Sequence, residues 1–331
     1  MFSFSRTGVN IPGVMKIHIN GALYAERDAM ISVLDDSFLS GRGIRECFVC
    51  REGMFFHLDE RLEHLKTFAS ELRMEFSWPI GDIKEALANV YDINKFDGKD
   101  ALLTLILSAG SNACHCPCSN TKAGENVKLA EEAESAGETK VPAKPSKSEC
   151  GAVAAPSLII TAKPLSQEEP ADISLALLER FSLGDKILQW ERYTLGKVGT
   201  FLARMEAKQK TASGAILTDA NGIICGCTEG DLFAIAGNDI FTPALDRPWF
   251  LGKFLYPILP ETDDMKVTEK QLRIQDLSAA TECFLIRPCG KIVPVAKIGD
   301  ITIGNGNERT VTKIISTCLP QKIRNECHPA F

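Results

Sequence analysis

The stretch WERYTLGKVGTFLARMEAKQK, residues 190–210, is typical of a strand end, a turn and an amphipathic helix. Two side chains near the start of this helix are candidates for chemistry, the phenol of Tyr193 and the amine of Lys197. Among the standard side chains only lysine offers the primary amine that forms an imine with a carbonyl compound. The stretch therefore raises the question of which residue, if any, reacts with a ligand.

Cysteines form a second group of candidates. The segment ACHCPCSN carries Cys114, His115, Cys116 and Cys118, four soft ligands that are chemically able to hold zinc or copper(I). Zinc sites usually use two separated Cys-x2-4-Cys pairs that a fold holds in place, and this tract is compact instead. We therefore predict no defined metal site, and a thiol-rich metal-binding protein stays an alternative.

The paired cysteines of the segment IICGC have a structural interpretation. Cys225 and Cys227 alternate along a predicted strand, which places both side chains on the same side. Small, apolar thiols of this kind are typical of a protein core. We interpret them as core residues rather than as nucleophiles.

Composition narrows the class of protein. The chain has 331 residues, 45% of them hydrophobic and 24% charged, as expected of one large or two ordinary globular domains. The net charge of -6 argues against a general nucleic-acid-binding protein, because such proteins are usually basic. No apolar run reaches the roughly 18 residues that span a bilayer, and the N-terminus lacks the pattern of a secretory signal. We therefore expect a cytoplasmic protein with no membrane segment and mostly reduced cysteines.

The first half of the chain alternates strand and helix patterns. Two hairpins are predicted, with turns at Asn20-Gly21 and Glu52-Gly53, and amphipathic helices follow over 58–72 and 80–93. Residues 111–155 are rich in Ala, Glu, Lys, Ser, Gly and Pro, so we predict a disordered insertion there. The strand patterns on either side of it, 100–110 and 156–165, are predicted to pair.

The second half is richer in strand patterns. Short strands with turns at Asn221-Gly222 and Gly237-Asn238 follow the helix of residues 198–210, and a last helix begins near Glu308. We predict an α+β fold of two domains. The first is a small N-terminal α/β domain over 1–165, which contains the insertion, and the second is a larger, β-rich domain over 166–331.

The order and spacing of these elements resemble the class IV aminotransferases, the fold-type IV pyridoxal-phosphate enzymes. The family includes branched-chain and D-amino-acid aminotransferases and aminodeoxychorismate lyase. The matching segments cover most of the chain outside the insertion, and they are INGALYAERDAMISVLDDSFLSGRGIRECF, GMFFHLDERLEHLKTFASEL, GTFLARMEAKQKTASGAILTDANGII, LFAIAGNDIFTPAL and LSAATECFLIRPCGKIVPVAKIGDITIGNG. The resemblance implies pyridoxal phosphate as cofactor, a homodimer and a small-molecule site in the cleft between the domains.

The resemblance implies a lysine that holds the cofactor as a Schiff base. Aligned on LARMEA, that position is Tyr193, whose phenol forms no imine. Lys197 lies about one helical turn, ~5–6 Å, further along the chain. Its flexible stem covers part of that distance, so both a displaced catalytic lysine and a solvated helix lysine stay open.

The remaining cofactor contacts of the family also map onto substituted positions. The arginine that grips the phosphate corresponds to His64, and the glutamate that pairs with the ring nitrogen corresponds to Gly226. Glu229 is the neighbouring carboxylate, three residues away, so on a continuous strand it would face the opposite side. Of the family's phosphate-binding turns, Gly252 persists, whereas Phe254 and Pro288 or Cys289 stand where threonines are expected.

These substitutions lead to one main hypothesis and its alternatives. The first is a class IV aminotransferase-like protein that has lost normal pyridoxal-phosphate catalysis. The second is an active aminotransferase or aminodeoxychorismate lyase that uses Lys197 as the amine and Glu229 as the ring-nitrogen partner. The third is the thiol-rich metal-binding protein.

Overall fold

A computed structural model of the chain describes residues 14–96, 99–110, 156–165, 170–182, 191, 194–244, 254–259, 265–304 and 309–330. The predicted insertion over 111–155 lies outside these residues, and so do Tyr193 and Gly252.

The first sheet rests on strands that bury every second side chain. β5 (Ala101–Ser108) buries Ala101, Leu103, Leu105 and Leu107, and it lies antiparallel between β3 (Gly43–Arg51) and β6 (Leu158–Pro164). The other strands are β1 (Lys16–Ile19), β2 (Ala22–Ala25), β4 (Met54–Phe56) and β16 (Cys327–Pro329). Within the described residues the sheet has seven strands in the order β16-β4-β3-β5-β6-β1-β2.

Two amphipathic helices cover this sheet. α2 (Leu58–Glu71) buries Leu58, Leu62, Leu65 and Ala69, and α3 (Ile80–Ile93) buries Ile83, Leu87, Val90 and Tyr91. These spacings of three and four residues place the apolar side chains on one face of each helix. They join Ile44, Phe48 and the buried face of β5 in one core. A short helix, α1 (Asp36–Ser40), precedes β3.

The second sheet is larger and mixed. Its strands are β7 (Ile173–Ser182), β8 (Gly214–Thr218), β9 (Ile224–Cys227), β10 (Asp231–Ala236), β11 (Asp239–Pro243), β12 (Lys266–Lys270), β13 (Glu282–Ile286), β14 (Ile292–Ile298) and β15 (Ile301–Thr302). The main path in the described residues is β12-β11-β10-β13-β14-β7-β8-β9, and β15 pairs with β14. β7 pairs in parallel with both β14 and β8.

Helices also pack on the second sheet. α4 (Val198–Gln209) lies on β7 and β8, where its Ala203 and Ala207 contact Leu178 and Leu217. A short helix, α5 (Ile274–Ser278), precedes β13. α6 (Thr310–Asn325) packs on β13 and β14, and the chain then returns to the first sheet as β16, antiparallel to β4. The chain therefore passes between the two sheets twice, once before β7 and once after α6.

The predicted α+β fold is confirmed, and most predicted elements are present. Asn20, Gly21, Glu52 and Gly53 adopt positive φ at the two hairpin turns, as short connections between antiparallel strands require. β5 and β6 pair as expected. The strand end predicted at the start of residues 190–210 lies partly outside the described residues. In the part of the chain that the structure describes, no helix has the length and apolar character needed to cross a membrane.

Candidate functional site

A cavity of about 390 Å³ opens between the two sheets. The first sheet and its helix contribute a wall of polar residues, and the second sheet and α4 contribute the rest. The described lining residues are Arg45, Glu46, Cys47, Arg61, Leu102, Glu191, Lys197, Thr200, Arg204, Leu217, Cys225, Cys227, Thr228, Glu229, Gly230, Asp231, Arg287, Pro288 and Cys289. This volume is within the range of small-molecule sites.

The start of α4 is tied to the first sheet beside this cavity. The backbone N–H of Leu195 donates to the carbonyl of Gly43, and Thr194 forms a bridge with Ile44. Gly41 adopts φ 72, and a Cβ at Gly41 would lie only 2.8 Å from the Cα of Gly196. A side chain at position 41 would therefore push α4 away from the first sheet.

A carboxylate caps the N-terminus of α4. Oε1 of Glu191 accepts from the N–H of Gly199 at 2.8 Å, and Oε2 accepts from the N–H and the hydroxyl of Thr200, both at 2.7 Å. These bonds satisfy backbone donors that the helix itself leaves without acceptors, and they place a negative charge at the positive end of the helix dipole. Lys197 is the N-cap residue of this helix, is half-buried and lines the cavity.

Arg61 occupies the wall that belongs to the first sheet. Arg61 belongs to α2 and is buried. Its Nη2 is bonded to Oε1 of Glu46 and donates to the carbonyl of Cys47 at 2.7 Å. Its guanidinium also lies 4.5 Å from the ring centroid of Phe48. These contacts hold Arg61 firmly against β3.

Glu229 joins two arginines in the opposite wall. Arg204 of α4 donates from Nε to Oε1 of Glu229 at 2.8 Å, and Nη1 of Arg287 lies 3.5 Å from Oε2. The hydroxyl of Thr228 lies 3.2 Å from Oε1 of Glu229 and accepts from the N–H of Ala215. The alternation of side chains along a strand does not apply to Glu229, because β9 ends at Cys227. The side chain of Glu229 lines the cavity.

The prediction that Cys225 and Cys227 share one side is wrong. The register of β9 against β8 shifts between Leu217 and Thr218, and Gly226 adopts φ 140 at this bulge. Cys225 consequently packs in the small core under α4, whereas Cys227 packs in the main core of the second sheet. An extra residue in a strand breaks the alternation on which the prediction depended.

His64 and Phe254, two further residues of the predicted cofactor site, lie against each other. His64 contacts the ring of Phe254 at 5.5 Å between centroids, and Phe254 also stacks on His57 at 5.1 Å. His64 is absent from the described residues that line the cavity, whereas Arg61, one turn earlier on α2, is present. The structure thus brings Lys197 and Glu229 into the cavity lining, with Gly226 between the lining residues Cys225 and Cys227, and His64 lies outside the described lining.

Metal binding finds no support in the described residues. They contain no group of three or more His, Cys, Asp or Glu side chains arranged to hold a metal ion. The tract from Cys114 to Cys118 lies outside the described residues. The metal-binding alternative therefore stays a hypothesis about that tract alone.

The comparisons with known proteins agree with this architecture. The family model described as "Amino-transferase class IV" matches residues 43–298, and the chain belongs to that family. Among its relatives are a D-alanine aminotransferase of Bacillus licheniformis, 22% identical over 94% of this chain and 98% of the relative, and an aminodeoxychorismate lyase of Bacillus subtilis, 24% identical over 94% of this chain and 96% of the relative.

Solved structures show the same fold. The branched-chain amino acid aminotransferase of Escherichia coli is 18% identical and superposes with a TM-score of 0.74, covering 96% of this chain and 99% of that one. A T.th. branched-chain amino acid aminotransferase with pyridoxamine 5'-phosphate is 17% identical with a TM-score of 0.75, at 96% and 99% coverage. The family uses pyridoxal phosphate as its cofactor.

Proposed function

We propose that this family member binds a small molecule in the cavity between the sheets and does not carry out pyridoxal-phosphate transamination. The family chemistry needs an amine for the Schiff base, a carboxylate at the ring nitrogen and a cradle for the phosphate. By sequence, Tyr193 stands where the amine is expected. The described residues bear on the other two requirements.

The observation that carries the proposal is Gly226. The resemblance places the ring-nitrogen carboxylate at this position, and here a glycine bulge separates Cys225 from Cys227. The nearby carboxylate of Glu229 is engaged by Arg204 and Arg287. A carboxylate that two guanidinium groups stabilise is a weak partner for a protonated ring nitrogen, because its charge is already balanced.

The phosphate positions support the same proposal. Pro288 lines the cavity and has no N–H to donate, and Phe254 packs on two histidine rings. Arg61 is the arginine that α2 supplies to this region, and it is committed to Glu46 and the carbonyl of Cys47. By these observations the residues present do not fit the cofactor in the manner of the family.

A second candidate function rests on Lys197. Its position in the cavity lining, in the same cavity as Glu229, favours an aminotransferase or lyase in which the amine has moved to the N-cap of α4. The two candidates differ in one chemical property, which is whether a lysine of the folded protein forms a reducible imine with an aldehyde cofactor.

Borohydride trapping tests this property. The purified full chain is mixed with pyridoxal phosphate, reduced with borohydride, digested and analysed by mass spectrometry for modified lysines. The proposal expects no site-specific modification at Lys197 and no visible absorbance from an imine. Stoichiometric labelling that Lys197→Met abolishes, and that the exposed control Lys208→Met leaves intact, would establish the second candidate instead.

A homodimer is also part of the proposal, supported by an exposed apolar surface. We name this the apolar face: the exposed side chains Met30, Ile31, Val33, Leu34, Phe38 and Leu39 around α1, with Val198, Phe201, Leu202 and Met205 on α4. The close approach of Gly41 to Gly196 makes its two halves adjacent. Extended apolar surfaces are typical of interfaces, and the resemblance implies a second copy as the occupant. Cytoplasmic location stays a prediction of the sequence.

A further inference from the structure

We infer that β16 is a latch: its pairing with β4 holds the two sheets together beside the cavity, and its detachment lets the sheets separate and admits molecules to the cavity. Access to a cavity is a different property from the chemistry within it. The latch therefore goes beyond the proposed function and is compatible with either candidate.

Two junctions join the sheets next to the cavity. The first is the start of α4, where the N–H of Leu195 donates to the carbonyl of Gly43, and the cavity residues Lys197 and Thr200 follow directly. The second consists of α6, which packs on β13 and β14, and of β16, which pairs with β4. Separate parts of the chain form the two junctions, so the second can open while the first stays closed.

β16 covers the edge of the first sheet. Cys327 lies opposite Phe56 and Pro329 opposite Met54 in an antiparallel pairing. Cys327 is 7% exposed, and Ala330, which follows the strand, is 3% exposed and packs in the core of the first sheet. These contacts attach the segment that leaves α6 to β4.

The apolar contacts across the second junction meet at β4. Phe56 of β4 is buried in one core with Phe284 of β13 and with Ile315 and Leu319 of α6. Cys327 belongs to the same core, so it contributes to both the pairing and the packing. Detachment of β16 would therefore weaken the contact between β4 and the second sheet as well as the strand pairing.

A small chamber of about 20 Å³ adjoins this junction. Phe56, Ile323 and Cys327 line it from β4, α6 and β16. Arg61 and Cys289 line both the chamber and the main cavity. Movement of β16 away from β4 would thus remove one wall of the chamber and open a path to the main cavity.

The contacts of β16 are few enough to open locally. The strand has three residues, and one of its side chains, that of Cys327, is buried. The ion pair between Arg324 and Glu52 spans 3.5 Å, but the two side chains are 44% and 51% exposed, so it adds little. Segments with few buried contacts open at a lower free energy than the core, which allows β16 to detach while the sheets stay folded.

Hydrogen exchange and thiol labelling of the full chain test the latch. Ala330→Asp places a carboxylate at the buried position, and the control His328→Asp places one at an exposed position of the same strand. We expect Ala330→Asp to speed amide exchange in peptides that contain Met54–Phe56 by about 10-fold or more, and labelling of Cys47 by N-ethylmaleimide by about 5- to 10-fold. His328→Asp should match the wild type, and peptides from β5 should exchange equally in all three proteins.

Cys47 distinguishes an open cavity from a frayed strand, because it lines the main cavity and is absent from the described lining of the chamber. Faster labelling of Cys327 with an unchanged rate at Cys47 would overturn the inference, and so would unchanged exchange at β4. Circular dichroism checks that each variant is folded.

The wild type provides the test if Ala330→Asp does not fold. Urea concentrations below the unfolding transition should raise the exchange of β4 and β16 and the labelling of Cys47 with one common dependence on urea. Labelling of Cys47 that accelerates only with global unfolding would overturn the latch. Neither measurement uses pyridoxal phosphate, so its outcome is independent of the borohydride experiment.

Discussion

Arg204 donates from Nε to Oε1 of Glu229 over 2.8 Å, and this contact connects α4 to the segment that follows β9. The same carboxylate lies 3.5 Å from Arg287, at the end of β13. One negative charge therefore lies between two positive ones and connects α4, the segment after β9 and the end of β13. The side chain of Glu229 is 17% exposed, so water screens these interactions only partly.

Replacing Glu229 with glutamine should destabilise the protein by about 1–2 kcal/mol, because the two guanidinium groups lose the charge between them. Urea unfolding monitored by circular dichroism measures the free energy of unfolding. Glu75→Gln is the matched control, since Glu75 is exposed. A Glu229→Gln protein as stable as the wild type would show that the network contributes nothing to the fold.

Replacing Glu191 with alanine should cost about 1–2 kcal/mol, because three hydrogen bonds at the start of α4 are lost together. Thr200→Val removes one of the three, so its effect should be smaller and in the same direction. Chemical denaturation of both variants gives the comparison. Equal losses of stability in the two variants would contradict the capping role assigned to the carboxylate.

The apolar face predicts the oligomeric state. Phe38 is 66% exposed on α1 and Phe201 is 60% exposed on α4. The double variant Phe38→Lys/Phe201→Glu places charges within the proposed interface, so a dimeric wild type should become monomeric. Light scattering coupled to size-exclusion chromatography measures the mass. Ile314→Lys, which alters an exposed apolar residue of α6 outside the face, should leave the mass unchanged. A double variant with the mass of the wild type would remove this surface as the interface.

Local patterns in the sequence were sufficient to predict the hairpins of the first sheet and the two helices that cover it. The turns at Asn20-Gly21 and Glu52-Gly53 and the apolar periods of α2 and α3 depend on neighbouring residues, so they are legible without the fold. The prediction that side chains alternate along β9 was wrong at Gly226. The bulge there depends on the register of β9 against β8, which the local sequence does not determine. Glycine between two cysteines was the available signal for that bulge.

The wall of the cavity was harder to predict. Arg45 and Arg61 come from the first half of the chain, Glu191 and Arg204 come from the second half, and the fold brings them together. One signal for Arg61 was present, since it lies about one helical turn before His64, the position that the resemblance assigns to the phosphate arginine. A signal for Arg45 was its parity with Cys47, opposite to the apolar Ile44 and Phe48. Neither signal shows which residues of the second sheet and α4 form the opposite wall of the cavity.

Thiol reactivity should separate the buried cysteines from those of the cavity. Cys50 and Cys283 are fully buried, and burial raises the pKa of each thiol to about 12, so the reactive thiolate is scarce near neutral pH. Iodoacetamide should therefore label neither residue in the native protein and both after unfolding. Cys47 is half-buried in the cavity wall and should be labelled earlier, as peptide mass spectrometry would show. Native labelling of Cys50 or Cys283 at the rate of Cys47 would contradict this order.

His18 should make the stability of the protein depend on pH. The ring is buried in β1, Nε2 accepts from the N–H of Gly21 at 3.1 Å, and Nδ1 has no hydrogen-bond partner in the described structure. Burial lowers the pKa of His18, because the charged ring would lose its hydration. Above the unfolded-state pKa of about 6.5, both folded and unfolded chains keep the ring neutral, and its contribution to stability is fully present.

As the pH falls below about 6.5, the unfolded chain takes up a proton that the folded chain binds less readily, so stability decreases until the lower folded-state pKa is passed. Urea unfolding at a series of pH values between about 7.5 and 5 measures this loss. The variant His18→Gln cannot titrate, so its stability should fall less over this range than that of the wild type. His328→Gln, at an exposed position, should keep the wild-type dependence. If His18→Gln retains the full pH dependence, another group is responsible for it.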